Sequence, residues 1–360
     1  MTDRRPLDVL FRYGPVALMV VVGLVLPLTT SDYWLGRILL WIPLAIAALG
    51  LNLLTGFNGQ ISVGHFAFYG VGAYTCGLLV AKWDWPMGLA VLAAVVVCFV
   101  VGVVVGLPAL RIKGLYLALV TLAVAVLFPD LVKHFESVTG GSSGLYITTP
   151  EMNSRGVVVE RSIQILAPEG IDLSTEQWTF YLYLAVAIVA FIVVRNIVHS
   201  RVGRSMIAIR DNEVAAEVNG VNVAAVKVFT FGLSSALAGL GGAMFALWEA
   251  QLFPQSFTLG FSLVLLVAVV VGGPASVLGP ALGAIFVGVF EDMIKPELPD
   301  ELSAVTPLIL GLSLVGLMLV APGGIAGMAR QLAARVQRSR PPAGPAKPSG
   351  DPISTQPSTT

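Results

Sequence analysis

Long runs of apolar residues separated by short charged stretches are the dominant pattern of the chain. Because a charge is costly inside a bilayer, a gap between charges delimits a possible membrane span. One transmembrane helix needs roughly 20 residues. The charge-free gaps near this length or twice this length are 13–31, 38–81, 85–110, 114–129, 177–194, 228–248, 250–290 and 302–329. Two of them, 38–81 and 250–290, have room for two helices each, so the pattern predicts an all-α transmembrane helical bundle of about ten spans.

Basic residues are distributed unevenly between the two sides that this alternation creates. With the N-terminus in the cytoplasm, 15 of the 21 lysines and arginines fall in inner segments. Because inner loops carry an excess of such residues, we expect both termini to be cytoplasmic.

The spans divide the chain into a cytoplasmic N-terminus (1–12), a transmembrane region (13–328) and a cytoplasmic tail (329–360). The tail is rich in proline, serine and threonine, which predicts disorder. Within the transmembrane region, 134–177 forms an outer loop with room for a small hairpin, and 195–227 forms the longest inner loop.

Composition excludes several functional classes. The chain is 56% hydrophobic and 12% charged, whereas soluble proteins carry about 25% charged residues. Its zero net charge gives no indication of a nucleic-acid partner, and Cys76 and Cys98 lie in apolar runs, which argues against a disulfide framework. The sequence contains no phosphate-binding Gly-x4-Gly-Lys motif, no nucleophile elbow and no metal-ligand spacing. It therefore predicts neither an enzyme nor a metal protein.

The two double spans are interrupted in a similar way. The first break, Gly56–Gly64, and the second, Gly272–Gly279, both contain Gly-x-x-Ser-Val and both follow an outside-to-inside helix. Paired glycine and proline breaks in corresponding segments point to a transport site. The alternatives are a true internal duplication and two unrelated tight inner turns.

Polar side chains cluster around the first break, within an otherwise apolar stretch. Non-helical backbone at membrane depth must line a cavity or be buried in protein, so such side chains could meet a small polar solute. The predicted substrate-pathway residues are Asn52, Asn58, Gln60, Ser62, His65 and Thr121. The alternative is a hydrogen-bonded turn capped by His65, with Thr121 bonded to a carbonyl of its own helix.

An amphipathic helix is predicted over 205–220 in the inner loop. Its apolar stripe contains Ile207, Val214, Val218 and Val221, and its charged stripe contains Arg210, Glu213 and Glu217. Because the segment has no excess of lysine for lipid, the pattern favours docking into the groove of a partner protein. The alternative is a surface helix that lies on the bundle.

The order of these segments resembles that of the branched-chain amino acid ABC transporter permeases of the LivM type. The matching stretches are Gly50–Tyr74, Arg111–Ala123, Thr139–Leu145, Gly203–Ala246 and Leu263–Gly288. They cover most of the chain from 38 to 328. The resemblance implies a non-enzymatic, multi-pass importer subunit in the bacterial inner membrane that translocates a small aliphatic amino acid.

The resemblance also implies partners. They are a second homologous permease, two ATP-binding subunits that hold ATP and Mg, and a periplasmic solute-binding protein, while this chain holds no cofactor. The inner loop is similar to the ATPase-coupling segment of such permeases. The coupling residues that this implies are Arg210, Asp211, Glu213, Ala215, Ala216, Glu217 and Gly220. The sequence departs from the usual pattern because the alanine pair is displaced by one and no Ile-x-Leu-Pro ending follows Gly220.

Two alternative functions remain open. The same family includes permeases for urea, amides and other small solutes, and a self-sufficient secondary transporter would also lack a nucleotide-binding motif. The coupling-like helix favours the ATP-driven subunit, and the scarcity of charges inside the spans argues against a proton-coupled transporter.

Overall fold

The computed structural model describes residues 21–110, 115–152, 158–162, 165, 172–249, 251–294, 311–312, 316 and 323–328. Several predictions fall wholly or mostly outside these residues. They are the cytoplasmic N-terminus 1–12, the tail 329–360 and the span 302–329, together with Arg111–Lys113 of the resemblance.

Helices make up most of the described chain. They are α1 (residues 21–29), α2 (Asp32–Leu39), α3 (Trp41–Asn52), α4 (His65–Trp83), α5 (Met87–Ala109), α6 (Leu115–His134), α7 (Glu136–Thr139), α8 (Thr175–His199), α9 (Arg201–Asp211), α10 (Glu213–Val218), α11 (Val223–Glu249), α12 (Leu259–Gly272) and α13 (Gly279–Val289). Wider π turns extend α3 over Leu53–Phe57 and α13 over Phe290–Ile294, and short 3₁₀ turns cover Gly141–Ser143 and Pro254–Phe257.

Within the described residues, five helical segments are long and apolar enough to cross a membrane. They are Asp32–Phe57, Met87–Pro108, Tyr116–His134, Thr175–His199 and Val223–Glu249. The chain is therefore an all-α membrane protein in its main architecture. The count of ten spans and the orientation of the termini stay predictions.

The second double gap, 250–290, holds two helices that are shorter than a full span. Helix α12 has 14 residues and α13 with its π turn has 11 and 5. At 1.5 Å per residue these reach about 21 and 24 Å, less than the roughly 30 Å of a bilayer core. The glycines and proline between them therefore separate two short helices.

Helix α11 is the centre of the bundle and packs against α3, α4 and α5. Small residues allow this close approach: a Cβ atom added at Gly72 would overlap the main chain of Gly239, and one at Gly242 would overlap the carbonyl of Tyr69. Close packing through small residues is how helices associate when lipid supplies no hydrophobic driving force.

Two short antiparallel ladders add to the helices, and one of them is the hairpin for which the sequence left room. Strand β2 (Thr148–Met152) pairs with β3 (Val158–Ser162), so the loop 134–177 does contain a hairpin. Strand β1 (Leu145–Tyr146) pairs with β4 (Gln251–Leu252), with Leu145 opposite Leu252. This second pair ties the loop to the segment that follows α11, and Tyr74 of α4 donates a hydrogen bond to the Leu252 carbonyl at 3.1 Å.

The start of α3 is tied to the end of α13. The Asp292 carboxylate accepts hydrogen bonds from Trp41 Nε1 at 2.7 Å and from Arg37 Nη1 at 3.1 Å. A side chain at Gly288 would overlap the Trp41 ring, so the two helices also touch directly.

Candidate functional site

The first break is a non-helical segment that joins α3 to α4. Helix α3 loosens into the π turn Leu53–Phe57, and Gly59 adopts φ +73°, a left-handed conformation that glycine takes without a steric penalty. Helix α4 then begins at His65. A side chain at Gly64 would overlap the Thr121 carbonyl of α6, so this non-helical backbone lies against another helix.

The two breaks meet, and Asn52 joins them. Its Oδ1 accepts from the Ala275 amide at 3.0 Å, and its Nδ2 donates to the Ser276 carbonyl at 2.7 Å. Asn52 is completely buried. A Cβ at Gly56 would overlap Asn52 Oδ1 and lie 2.6 Å from the Ala275 nitrogen. The two segments that share Gly-x-x-Ser-Val are therefore packed against each other, and the Asn52 amide satisfies backbone groups that the second break frees.

Asn58 and Gln60 bond to each other inside the first break. Asn58 Nδ2 donates to Gln60 Oε1 at 2.8 Å, and the main-chain N–H of Gln60 donates to the Leu54 carbonyl at 3.1 Å. Asn58 Oδ1 is buried without a hydrogen-bond partner among the described residues.

His65 joins α4 to the two helices around it. Its Nε2 lies 3.2 Å from the Ser234 carbonyl and 3.1 Å from Ser234 Oγ, while Ser234 Oγ donates to the Gly50 carbonyl. Because the serine proton is already used, Nε2 must carry the donated hydrogen. His65 Nδ1 is then a buried acceptor, and the described part of the chain offers it no donor.

Thr121 attaches the break to α6. Its hydroxyl donates to the Ala118 carbonyl at 3.0 Å, as the alternative interpretation expected, and also accepts from the Val63 amide at 3.1 Å. The neighbouring Ser62 hydroxyl is buried, with no hydrogen-bond partner in the described structure.

All six predicted pathway residues are buried around the paired breaks. Asn52 and Thr121 hold backbone in place, whereas Asn58, Ser62 and His65 each keep one unmatched polar atom. Buried polar atoms are nearly always hydrogen-bonded, so each of these is a position where water or a solute group could bind.

Sequence reasoning missed two hydroxyls that hold the site together. Ser234 of α11 bonds to the Gly50 carbonyl, and Ser262 Oγ of α12 accepts from the Phe66 amide at 3.3 Å. The available signal was a lone serine in an apolar helix, which requires a partner for its hydroxyl.

The single helix expected over 205–220 is wrong, because the chain forms two helices there. Asn212 is extended (φ −161°) and its side chain accepts from the Ala215 amide at 3.0 Å, which caps α10. Asparagine is among the best N-cap residues, so it ends α9 and starts α10. Gly220, with φ +82°, follows the end of α10 in open space.

Helix α10 is attached to α11 on one face and exposed on the other. Lys227 of α11 pairs with Glu213 at 2.8 Å, and Ala216 is buried. Val214 and Val218 are 65% and 83% exposed, so this part of the predicted apolar stripe does not pack on the bundle, whereas Ile207 does. Asp211, Ala215 and Glu217 are also exposed. Arg210 is exposed as well, although its guanidinium reaches the Gly56 carbonyl.

A bundle of apolar helices with a buried, broken polar segment is an arrangement typical of membrane transport proteins. Among the described residues no group of three or more His, Cys, Asp or Glu side chains could hold a metal ion.

Comparison with known proteins identifies the family. Residues 34–322 match the family described as branched-chain amino acid transport system / permease component, so the chain belongs to this family, and the resemblance found in the sequence is confirmed. It is a multi-pass membrane protein of a transport family.

Three relatives show how the similarity is distributed. The high-affinity branched-chain amino acid permease LivM of Salmonella typhimurium is 29% identical over 294 residues, which cover 79% of this chain and 68% of the relative. LivH of Escherichia coli is 25% identical over 293 residues, covering 79% and 91%. The ribose import permease RbsC of Escherichia coli matches over only 96 residues, at 31% identity, covering 25% and 30%. No solved structure matches the chain.

Proposed function

We propose that this chain is a membrane-spanning subunit of an ABC importer for a small aliphatic, branched-chain amino acid. The observation that carries the solute class is the match to LivM along 79% of the chain, against 25% for the ribose permease. The importer works in the bacterial inner membrane with a second homologous permease, a periplasmic solute-binding protein and two ATP-binding subunits. ATP and Mg belong to the ATP-binding subunits.

The proposed topology has about ten spans, with both termini and the loop 195–227 in the cytoplasm. The excess of basic residues in the inner segments supports this orientation. The loop 134–177, with its hairpin, then lies on the outer side, where a solute-binding protein docks.

The proposed docking surface for an ATP-binding subunit is the exposed side of α10. Val214 and Val218 lie one helical turn apart there, outside the membrane-crossing helices, and Glu217 lies between them in sequence. Apolar side chains at i and i+4 are the anchors by which a short helix enters a groove. Ala216, on the opposite side, holds α10 to this chain.

The proposed solute path involves the paired breaks. All six polar residues are buried in this structure. We therefore propose that they line the path only after the breaks have moved during transport. Asn58, Ser62 and His65 then offer unmatched polar atoms to the solute, and Asn52, Gln60 and Thr121 keep the break in shape. Isolated neutral polar groups among apolar walls suit a zwitterion with an apolar side chain, because no fixed charge traps it.

The test is binding-protein-dependent uptake by the complete complex in proteoliposomes with ATP inside. Labelled leucine, isoleucine and valine are compared with urea and a short amide. We expect uptake of at least one of the three amino acids, which stops when ATP is omitted. Uptake of urea or the amide alone would contradict the solute class, and uptake without ATP-binding subunits would contradict the importer in favour of a secondary transporter.

A further inference from the structure

Arg210, near the end of α9, is an exposed residue whose guanidinium reaches the first break. Its Nη1 donates to the Gly56 carbonyl at 3.0 Å, while its Nε and Nη2 both donate to Asp211 Oδ1, at 3.1 and 3.0 Å. A guanidinium carries five donors in a rigid plane, so Asp211 can fix the plane while another N–H reaches a carbonyl.

The Arg210 side chain also packs on the first break. A Cβ added at Gly59 would lie 2.8 Å from Arg210 Cγ, so the stem of the arginine occupies the space that a larger residue would need. Gly56 lies in the last turn of the α3 extension, where helix carbonyls lack an intrahelical donor. Arg210 supplies that donor from a different segment of the chain.

A continuous series of contacts leads from Gly56 to the second break. Gly56 packs against the Asn52 side chain, and Asn52 bonds to Ala275 and Ser276. The second break packs in turn on the C-terminal part of the described chain, because a Cβ at Gly273 would lie 2.6 Å from the Gly323 carbonyl. Any displacement of the Arg210 guanidinium therefore acts on the residue that joins the two breaks.

A salt bridge attaches α10 to the bundle independently of Arg210. The Lys227–Glu213 pair, at 2.8 Å, links α10 to the second turn of α11, and its lysine is buried. Loss of the Arg210 contact should therefore leave α9 and α10 folded and attached to the bundle.

We propose that Arg210 is a positioning residue that transmits movement of α9 and α10 to the paired breaks. The proposal rests on the proposed function, in which the ATP-binding subunit docks on α10. Arg210 acts inside this chain, through the Gly56 carbonyl and Asn52, rather than as a contact with the partner. Its role is to couple hydrolysis to opening of the breaks.

The experiment compares Arg210→Gln, Arg210→Lys and the matched control Arg204→Gln in the complete reconstituted complex. Arg204 lies on the same helix and is exposed. Three quantities are measured: the amount of ATP-binding subunit that co-purifies, ATP hydrolysis with and without leucine-loaded binding protein, and leucine transported per ATP hydrolysed.

For Arg210→Gln we expect the ATP-binding subunit to co-purify, with leucine transported per ATP hydrolysed reduced about tenfold, the size expected for a lost charged hydrogen bond. Stimulation of hydrolysis by the loaded binding protein should fall as well. Arg210→Lys keeps a donor for the Gly56 carbonyl and should recover part of the coupling. Arg204→Gln should match wild type.

A second variant disturbs the contact between Arg210 and the first break by changing Gly59 instead of the arginine. Gly59→Ala keeps the Arg210 charge but puts a methyl group against its stem and strains a left-handed backbone, so it should lower transport per ATP in the same direction as Arg210→Gln.

The outcomes separate the two proposals. Wild-type complex without ATP-dependent leucine uptake would overturn the proposed function. Active wild type together with Arg210→Gln that transports normally per ATP would overturn only the role of Arg210. Loss of the ATP-binding subunit from Arg210→Gln would also overturn that role, because it would make Arg210 a contact with the partner.

Discussion

Helix α10 changes from a buried face at Ala216 to an exposed face at Val218. Ala216 is 3% exposed and Val218 is 83% exposed, although only one residue separates them. Sequence periodicity alone placed Val218 in an apolar stripe with Ile207, which is partly buried. It could not assign the stripe to the bundle or to a partner, because both environments favour valine.

This difference predicts opposite effects at the two residues. Val218→Asp should reduce co-purification of the ATP-binding subunit while leaving the thermal stability of this chain unchanged, because the side chain contacts solvent. Ala216→Arg should lower the thermal stability, since overpacking a buried site costs about 1–3 kcal/mol. The measurements are subunit co-purification and thermal unfolding of the chain alone in detergent.

Reversed results would contradict the assignment of the two faces. A stable Ala216→Arg chain that fails to bind its partner would place the docking surface on the side of α10 that we describe as buried.

At the scale of elements, α3 is fixed to the α12–α13 pair at both ends. Asp292 holds the start of α3 through Trp41 and Arg37, and Asn52 holds its far end through the second break. Hydrogen bonds at both ends of α3 therefore link it to α12 and α13.

The sequence predicted the helices well but not their junctions. Gaps between charges locate helices because burying charge in lipid is costly over a whole segment. The meeting of the two breaks depends on one asparagine that bonds residues more than 200 positions away, and no local pattern encodes such a contact. The β1–β4 pair has only two residues per strand, which is too short for a recognisable alternation.

The contacts between the two breaks predict that substitutions at Asn52 and Asn58 have different effects on thermal stability. Asn52→Leu leaves the Ala275 amide and the Ser276 carbonyl unpaired, at about 1–3 kcal/mol each, so it should lower the thermal stability as well as uptake. Asn58→Leu disturbs only the bond to Gln60 and should lower uptake with a smaller loss of stability.

Both variants are measured by thermal unfolding in detergent and by leucine uptake in proteoliposomes. Equal destabilisation by the two substitutions would contradict the division between a residue that holds the breaks and one that faces the solute.

At the scale of the whole molecule, the proposed orientation places α9 and α10 in the cytoplasm and the Gly141–Ser143 turn outside. The structure makes this testable with accessible positions, because Ser143 and Arg204 are both exposed. The native cysteines can be replaced by Cys76→Ala and Cys98→Ser, and the serine preserves a donor for the Phe68 carbonyl that Cys98 contacts at 3.4 Å.

Single cysteines are then introduced by Ser143→Cys or Arg204→Cys, and intact cells are treated with a membrane-impermeant thiol reagent. We expect labelling at 143 and none at 204, because inner segments carry most of the basic residues and the reagent cannot cross the bilayer. Permeabilised cells should label at both positions, which shows that each thiol is reachable. Labelling of 204 and not 143 in intact cells would contradict the proposed orientation. The Val214–Val218 surface would then lie on the outer side, where no ATP-binding subunit can reach it.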